Sequence, residues 1–133
     1  MKRSEYLEQI NRAYSSGLIT GEAYDSALEH INEFCPEPSS INVILKNPGE
    51  PAKMIEIDNT LTCLQDLVDG YIEVISVDFN GQDCAIICNE EGLIKDYKYN
   101  CNIFGYQIFG SFVIAGVDAD IFIDCPYDIL SQF

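Results

Sequence analysis

The feature that most constrains the fold is the dipeptide Asn80-Gly81, which lies between two runs rich in apolar and β-branched residues. The runs are YIEVISVDF (71–79) and QDCAIIC (82–88). Asn-Gly favours a two-residue β-hairpin turn because both turn positions require positive φ. Such a turn fixes the register of the two strands. The predicted cross-strand pairs are Val77 with Cys84, Ile75 with Ile86, Val74 with Ile87, and Asp78 with Asp83.

Apolar residues occupy both faces of this hairpin, because side chains alternate between faces along a strand. A strand pair of this kind is predicted to lie in the middle of its sheet, with a layer packed on each side. The segment TLTCLQDLV (60–68) is predicted to be a helix that forms one layer, since its leucines recur on one side. We expect Asp58 or Asn59 to cap its amino end and Gly70 to end it.

Three further strands are predicted, at 41–46, 52–57 and 111–116. The segment 96–110 is rich in aromatic and loop-forming residues, and no strand is predicted there. Pro126 suits the first turn of a short final helix. The fold class is therefore α+β, with a mostly antiparallel sheet, one packed helix and a helical hairpin before them.

The first 34 residues are predicted to form this helical hairpin. Gly17 stops the first helix, Thr20 caps the second, and the second helix is expected to continue to Phe34. The segment CPEPSS (35–40) contains two prolines, which disfavour a helix, so it is predicted to be a linker. The predicted domains are a hairpin at 1–34, this linker, and an α+β domain at 41–133.

Charge restricts the choice of partners. The chain has 22 acidic and seven basic residues, which gives a net charge of −15. This charge repels phosphates, so neither nucleic acid nor an anionic membrane is predicted as a direct partner. A protein with a basic surface is the predicted partner. The alternative is that the charge only keeps the protein soluble.

Several chemistries are disfavoured by the side chains present. The start of the chain has no apolar signal sequence and no segment is long and apolar enough to span a bilayer, which predicts a cytoplasmic protein without membrane contact. The six cysteines form no C-x-x-C pair, so no metal or cofactor is predicted. His30 is the only histidine, so a nucleophile–histidine arrangement is disfavoured and the protein is predicted not to be an enzyme.

The segment CNEEG (88–92) has two interpretations. A glycine that permits positive φ and an asparagine that can bond its own backbone make it a suitable strand-ending turn. Two adjacent carboxylates on a loop also suit contact with a cation or a basic side chain. A second acidic run, DADIFIDC (118–125), offers further carboxylates. The candidate binding residues are Asn89, Glu90, Glu91, Asp118, Asp120 and Asp124.

Three motifs resemble a family found in bacteria, phages and mobile elements, the domain of unknown function 3846. They are LQDLVDGYIEV (64–74), CNEEG (88–92) and IFGSFVIAG (108–116), and the resemblance extends over about 41–133. Asp69 departs from the family pattern, in which a second glycine is commoner. The segment 6–34, with its Gly-Leu-Ile-Thr turn, resembles the SHOCT helical hairpin. The resemblance to the domain of unknown function 3846 implies a related fold and a mobile-element setting, but no activity.

Three functions remain open. The leading hypothesis is a non-enzymatic regulator or inhibitor whose acidic surface occupies a basic groove of its protein partner. A host defence enzyme is one such target. The second is a small-molecule or nucleotide-binding module with a pocket among the tyrosines and the NEEG turn. The third is a metal-dependent enzyme. The helical hairpin is a predicted packing or homo-oligomerisation arm.

Overall fold

The computed structural model describes residues 2–92 and 95–133. Its chain forms two compact units. The first extends from the amino terminus to Glu37 and also includes Asp118–Ile121, and the second consists of Pro38–Val117 and Phe122–Phe133. The chain therefore returns to the first unit late in the sequence. The predicted division into 1–34, 35–40 and 41–133 instead assigned Asp118–Ile121 to the α+β domain.

Three helices make up most of the first unit: α1 (Arg3–Ser15), α2 (Gly21–Glu29) and α3 (Ile31–Phe34). The side chain of Thr20 accepts a hydrogen bond from the Ala23 N–H at 3.2 Å, which confirms the predicted cap. The prediction that the second helix continues to Phe34 is wrong. It is interrupted at His30, whose ring Nδ1 lies 2.6 Å from the Ser26 carbonyl oxygen and whose backbone leaves regular helical geometry.

The remaining elements form what is called here the sheet domain: β1 (Ser40–Lys46), β2 (Lys53–Asp58), α4 (Leu61–Val68), β3 (Ile72–Phe79), β4 (Gln82–Asn89), β5 (Tyr99–Ile103), β6 (Tyr106–Phe109), β7 (Phe112–Asp118), β8 (Ile121–Ile123) and a closing 3-10 helix (Tyr127–Gln132). The main sheet has six strands, of which five lie in the order β2-β1-β7-β4-β3 and the sixth, β8, pairs with β7. Strands β5 and β6 form a separate two-stranded sheet. The pairings β1–β2, β1–β7, β3–β4, β4–β7 and β5–β6 are antiparallel, which confirms the α+β class. Among the described residues no helix has the length and apolar character needed to cross a membrane.

The hairpin of β3 and β4 has the predicted register, and all four predicted cross-strand pairs are confirmed. Its predicted place in the middle of the sheet is right for β4 and wrong for β3. Strand β4 lies between β3 and β7, whereas β3 pairs with β4 alone among the described strands. The apolar pattern was misleading because it does not show which strands pair with β4, and most residues of β3 are exposed or only half-buried. Val74 of β3 remains 45% exposed.

Two apolar layers bury the faces of the sheet. On one face Leu64 of α4 packs with Val43, Ile87 and Val113, as predicted for this helix. On the other face, Ile108 of β6 belongs to a cluster with residues of the central strands and of the closing 3-10 helix. Full burial of one such side chain contributes about 1.5–3 kcal/mol, so both layers are needed to stabilise the sheet.

The hairpin of β5 and β6 lies in the segment 96–110, where no strand was predicted. Its loop residues, Phe104 and Gly105, have φ of 50° and 86°. Phenylalanine rarely adopts positive φ, so the sequence carries no recognisable turn signal there. Phe104 also contacts Phe79 of β3, with 5.1 Å between the ring centroids. This packing compensates for the unfavourable backbone conformation.

The ends of two helices also differ from prediction. Thr60, rather than Asp58 or Asn59, caps α4 and accepts a hydrogen bond from the Cys63 N–H at 3.2 Å. Asp69 ends this helix in the left-handed conformation, at φ 61° and ψ 44°. The last helix is a 3-10 helix, and Pro126 precedes it at the N-cap position instead of lying in its first turn.

Candidate functional site

The principal cleft of the sheet domain lies where α4 ends and where β4 runs into the NEEG turn. Its volume is about 460 Å³, which is within the range of small-ligand sites. The helix, the start of the β3 segment and the turn each provide part of its wall. The residues that line it are Gln65, Asp66, Asp69, Gly70, Tyr71, Asn89, Glu91 and Lys95.

Asn89 connects these three parts. Its Nδ2 donates to the carbonyl oxygens of Val68 and Asp69, both at 3.0 Å, and its Oδ1 accepts from the Glu91 N–H at 2.8 Å. The side chain therefore caps the carboxyl end of α4 and holds the turn in place. Asn89 is only 6% exposed, and its amide groups are satisfied within the protein.

Close contacts require glycine at two positions around Asn89. A Cβ atom on Gly70 would lie 2.7 Å from Asn89 Nδ2, and Gly70 also has φ of 154°. A Cβ atom on Gly92 would lie 2.8 Å from the carbonyl oxygen of Phe109. The Glu90 N–H donates to the Tyr71 carbonyl oxygen at 3.0 Å. The segments LVDGY and NEEG thus form one packed junction, and the turn is a structural element.

Charges at the mouth of the cleft are unbalanced. The carboxylates of Asp66, Asp69 and Glu91 line it together with a single ammonium, that of Lys95. Lys95 Nζ lies 3.1 Å from Glu91 Oε2, and this hydrogen bond raises the pKa of Lys95. The Tyr97 hydroxyl donates to Asp69 Oδ2 at 3.0 Å, which raises the pKa of Tyr97. Because the carboxyl end of α4 adds partial negative charge, the cleft is suited to a cationic group.

The family of the chain is shown by its sequence. Residues 41–133 match the family described as Domain of unknown function (DUF3846). This chain belongs to the DUF3846 family. The match confirms the predicted resemblance, whereas the SHOCT resemblance at 6–34 lies outside the matched residues and is not confirmed. No curated protein and no solved structure matches the chain.

The first unit holds two of the predicted binding residues. Asp118 accepts hydrogen bonds from the Arg3 N–H at 2.7 Å and from the Ser4 N–H at 2.9 Å, so it caps α1 from a distant part of the sequence. Burial of Asp118 opposes its charged form, but the hydrogen bonds from Ser4 and Arg3 outweigh this effect and lower the pKa of its carboxyl group. Asp120 pairs with Arg3 Nε at 2.8 Å.

The other four predicted residues lie in the DUF3846 sheet domain. Asn89 and Glu91 line the principal cleft, and Glu90 is exposed beside it. Asp124 is exposed and accepts the Asn42 N–H at 2.7 Å. The six predicted residues are thus divided between the two units. Their role in binding stays a prediction.

Sequence reasoning did not identify Asp66, Asp69 or Lys95 as residues of the cleft. Asp66 and Asp69 are one helical turn apart in α4 and its cap, and Lys95 follows the turn. The available signal was the pair of family motifs, LQDLVDGYIEV (64–74) and CNEEG (88–92), which contain these aspartates and Glu91. Their carboxylates face one cleft because Asn89 joins the end of α4 to the turn. That contact links residues 21 positions apart, and no local pattern reports it.

The buried thiols have little nucleophilic character. Burial raises the pKa of Cys84 and of Cys88 to about 11 and that of Cys125 to about 12. These thiols therefore remain protonated near neutral pH, and the thiolate is the reactive form. Within residues 2–92 and 95–133, no three histidine, cysteine or acidic side chains are grouped so as to hold a metal ion.

Proposed function

We propose that this DUF3846 protein is a non-enzymatic regulator or inhibitor that binds a protein partner with a basic surface. The principal cleft would receive an arginine or lysine side chain of that partner. The observation that supports this most directly is the group of three carboxylates around the cleft mouth, set against one ammonium. A guanidinium can form paired, charge-assisted hydrogen bonds with such carboxylates.

The strength of one contact limits what the cleft can contribute. An exposed ion pair contributes about 0.2–1 kcal/mol, which is too little for a stable complex on its own. The rest of the binding would come from the wider acidic surface of a chain with net charge −15. Long-range attraction between opposite charges speeds association and weakens as salt increases. A regulator that covers the basic groove of a nucleic-acid enzyme, such as a host defence enzyme met by a phage or plasmid, fits these properties.

The test is affinity purification from a bacterial lysate at low and high salt, with the recovered proteins quantified. The cleft variant is Asp66→Asn with Glu91→Gln, and the matched control is Asp58→Asn with Glu56→Gln on β2. The two variants remove the same charge. We expect basic proteins to be retained equally by the native chain and the control at low salt, and to be recovered in several-fold smaller amounts by the cleft variant. Retention that is equal in all three proteins, or unaffected by salt, would contradict the proposal.

A small-ligand function is favoured by one observation, the volume of about 460 Å³. The carboxylates around the cleft would repel the phosphates of a nucleotide, so an amine is the ligand class that fits. A bound ligand raises the melting temperature by mass action. A thermal-shift screen that compares amines, nucleotides and acidic metabolites would support this alternative only if amines stabilise the native chain and not the cleft variant.

A further inference from the structure

Strand β3 presents an edge that is open for pairing. Among the described strands it pairs with β4 alone, through eight consecutive pairs from Ile72 to Phe79 without a bulge. Edge strands in soluble proteins are commonly protected by proline, by charged residues such as lysine, or by a bulge. Between Ile72 and Phe79 there is neither a proline nor a bulge, and the two charged residues, Glu73 and Asp78, are both acidic. The outer edge of β3 therefore offers regular main-chain donors and acceptors.

A second cleft runs beside this edge. It has a volume of about 290 Å³ and lies between β3, the end of β4 and β6. Its apolar lining includes Ile75 of β3 and Ile108 of β6, and the acidic side chains Glu73 and Glu90 also line it. Ile75 is half-buried and Glu73 is exposed. An apolar side chain could enter here with a basic one next to it.

The charges on β3 decide which strand fits. Glu73 and Asp78 are its only charged residues, and they point to opposite faces because they are five positions apart. Val74 and Ile75 lie between them and expose apolar surface. A second copy of this chain would place acidic residues on an acidic edge, and like charges across a strand pair repel. A partner strand with a basic residue at each end would place one opposite Glu73 and the other opposite Asp78. Apolar residues between them would contact Val74 and Ile75.

We propose that β3 is the docking edge for an extended segment of the protein partner, which adds to the sheet as a further strand beside it. Main-chain hydrogen bonds supply affinity in this mode, and alternate side chains supply specificity. The segment carries basic residues opposite Glu73 and Asp78, and an apolar residue that enters the second cleft. This inference rests on the proposed function, because it specifies the form of the same basic partner.

The experiment uses the capped peptide KVVTVK and the full chain labelled with 15N. Binding should shift the amide signals of β3, from Glu73 to Asp78, and N-methylation of alternate peptide amides should reduce affinity at least tenfold because it removes donors. Glu73→Lys should weaken binding about tenfold more than Glu56→Lys. Glu56 is exposed on β2, the opposite edge of the sheet, so the two variants change the same charge on different edges.

Capped hexalysine distinguishes the docking edge from the principal cleft. If hexalysine shifts the amide signals of residues 65–71 while KVVTVK leaves those of β3 unchanged, the docking-edge proposal is wrong and the proposed function stands. If neither peptide binds, both are wrong. Equal affinity of the N-methylated peptide, or equal losses in Glu73→Lys and Glu56→Lys, would show attraction by charge alone and overturn the docking edge.

Discussion

Replacing Asn89 with alanine is expected to lower the free energy of unfolding of the sheet domain by about 3–4 kcal/mol. The native side chain makes three hydrogen bonds, two at 3.0 Å to the carbonyl oxygens of Val68 and Asp69 and one at 2.8 Å from the Glu91 N–H. At about 1 kcal/mol each the three hydrogen bonds contribute about 3 kcal/mol, and the carbonyl group of Val68 that is left unsatisfied adds about 1 kcal/mol. Val68 is 3% exposed, so water has little access to its carbonyl group.

Urea unfolding followed by circular dichroism measures this loss. The matched control is Asn42→Ala, because Asn42 is exposed and its side chain makes a single 3.5 Å contact, with Asp124, among the residues that the structure describes. The control should change stability by less than about 1 kcal/mol. A loss of that size or smaller in Asn89→Ala, with an unchanged dependence on urea, would refute the idea that Asn89 holds the helix end to the turn.

Asn89→Asp tests the same contact through pH. The aspartate keeps the acceptor for the Glu91 N–H but places a carboxylate oxygen against two carbonyl oxygens. This repulsion favours the protonated carboxyl, so the pKa of the new residue should rise in the folded state. The destabilisation should be full near neutral pH and diminish as pH falls through the raised pKa. A destabilisation that is independent of pH would contradict this geometry.

Two further predictions concern the stability of variants at Gly70 and at Asp118. Gly70→Ala should destabilise by about 1–3 kcal/mol, because its Cβ atom would meet Asn89 Nδ2 at 2.7 Å. In urea unfolding its effect should be less than additive with Asn89→Ala, and full additivity would count against a shared contact. Asp118→Asn should destabilise the protein most above pH 3.8, the ordinary pKa of the carboxyl, because the folded-state pKa is lower. The difference from the native chain should vanish as pH falls through that lower pKa, and a constant difference between pH 2 and 7 would contradict it.

Local signals account for the parts of the fold that could be predicted. Asn80-Gly81 specifies a turn with positive φ at both positions, and the register of β3 and β4 follows from it. The apolar side of α4 likewise predicts that it packs on the sheet. The position of β3 at the edge depends on which strands pair with β4, and the alternation within one hairpin carries no information on this.

The candidate site was only partly predictable for the same reason. The NEEG turn was recognised from its residue types, yet the burial of Asn89 arises from its contact with the end of α4. The return of Asp118 to cap α1 joins residues 115 positions apart in sequence. Phe104 has a positive φ that phenylalanine rarely adopts, and its ring contacts Phe79 of a distant strand, so its conformation does not follow the local preference.

Because the first unit consists of two separate segments, the chain cannot easily be divided into fragments that each contain a complete unit. A fragment that stops at Glu37 would lack Asp118, and the amino end of α1 would lose the carboxylate that satisfies two of its N–H groups. Conversely, a fragment of the matched residues 41–133 would retain this carboxylate without the helix that it caps. No single cleavage of the backbone separates the two units with both complete.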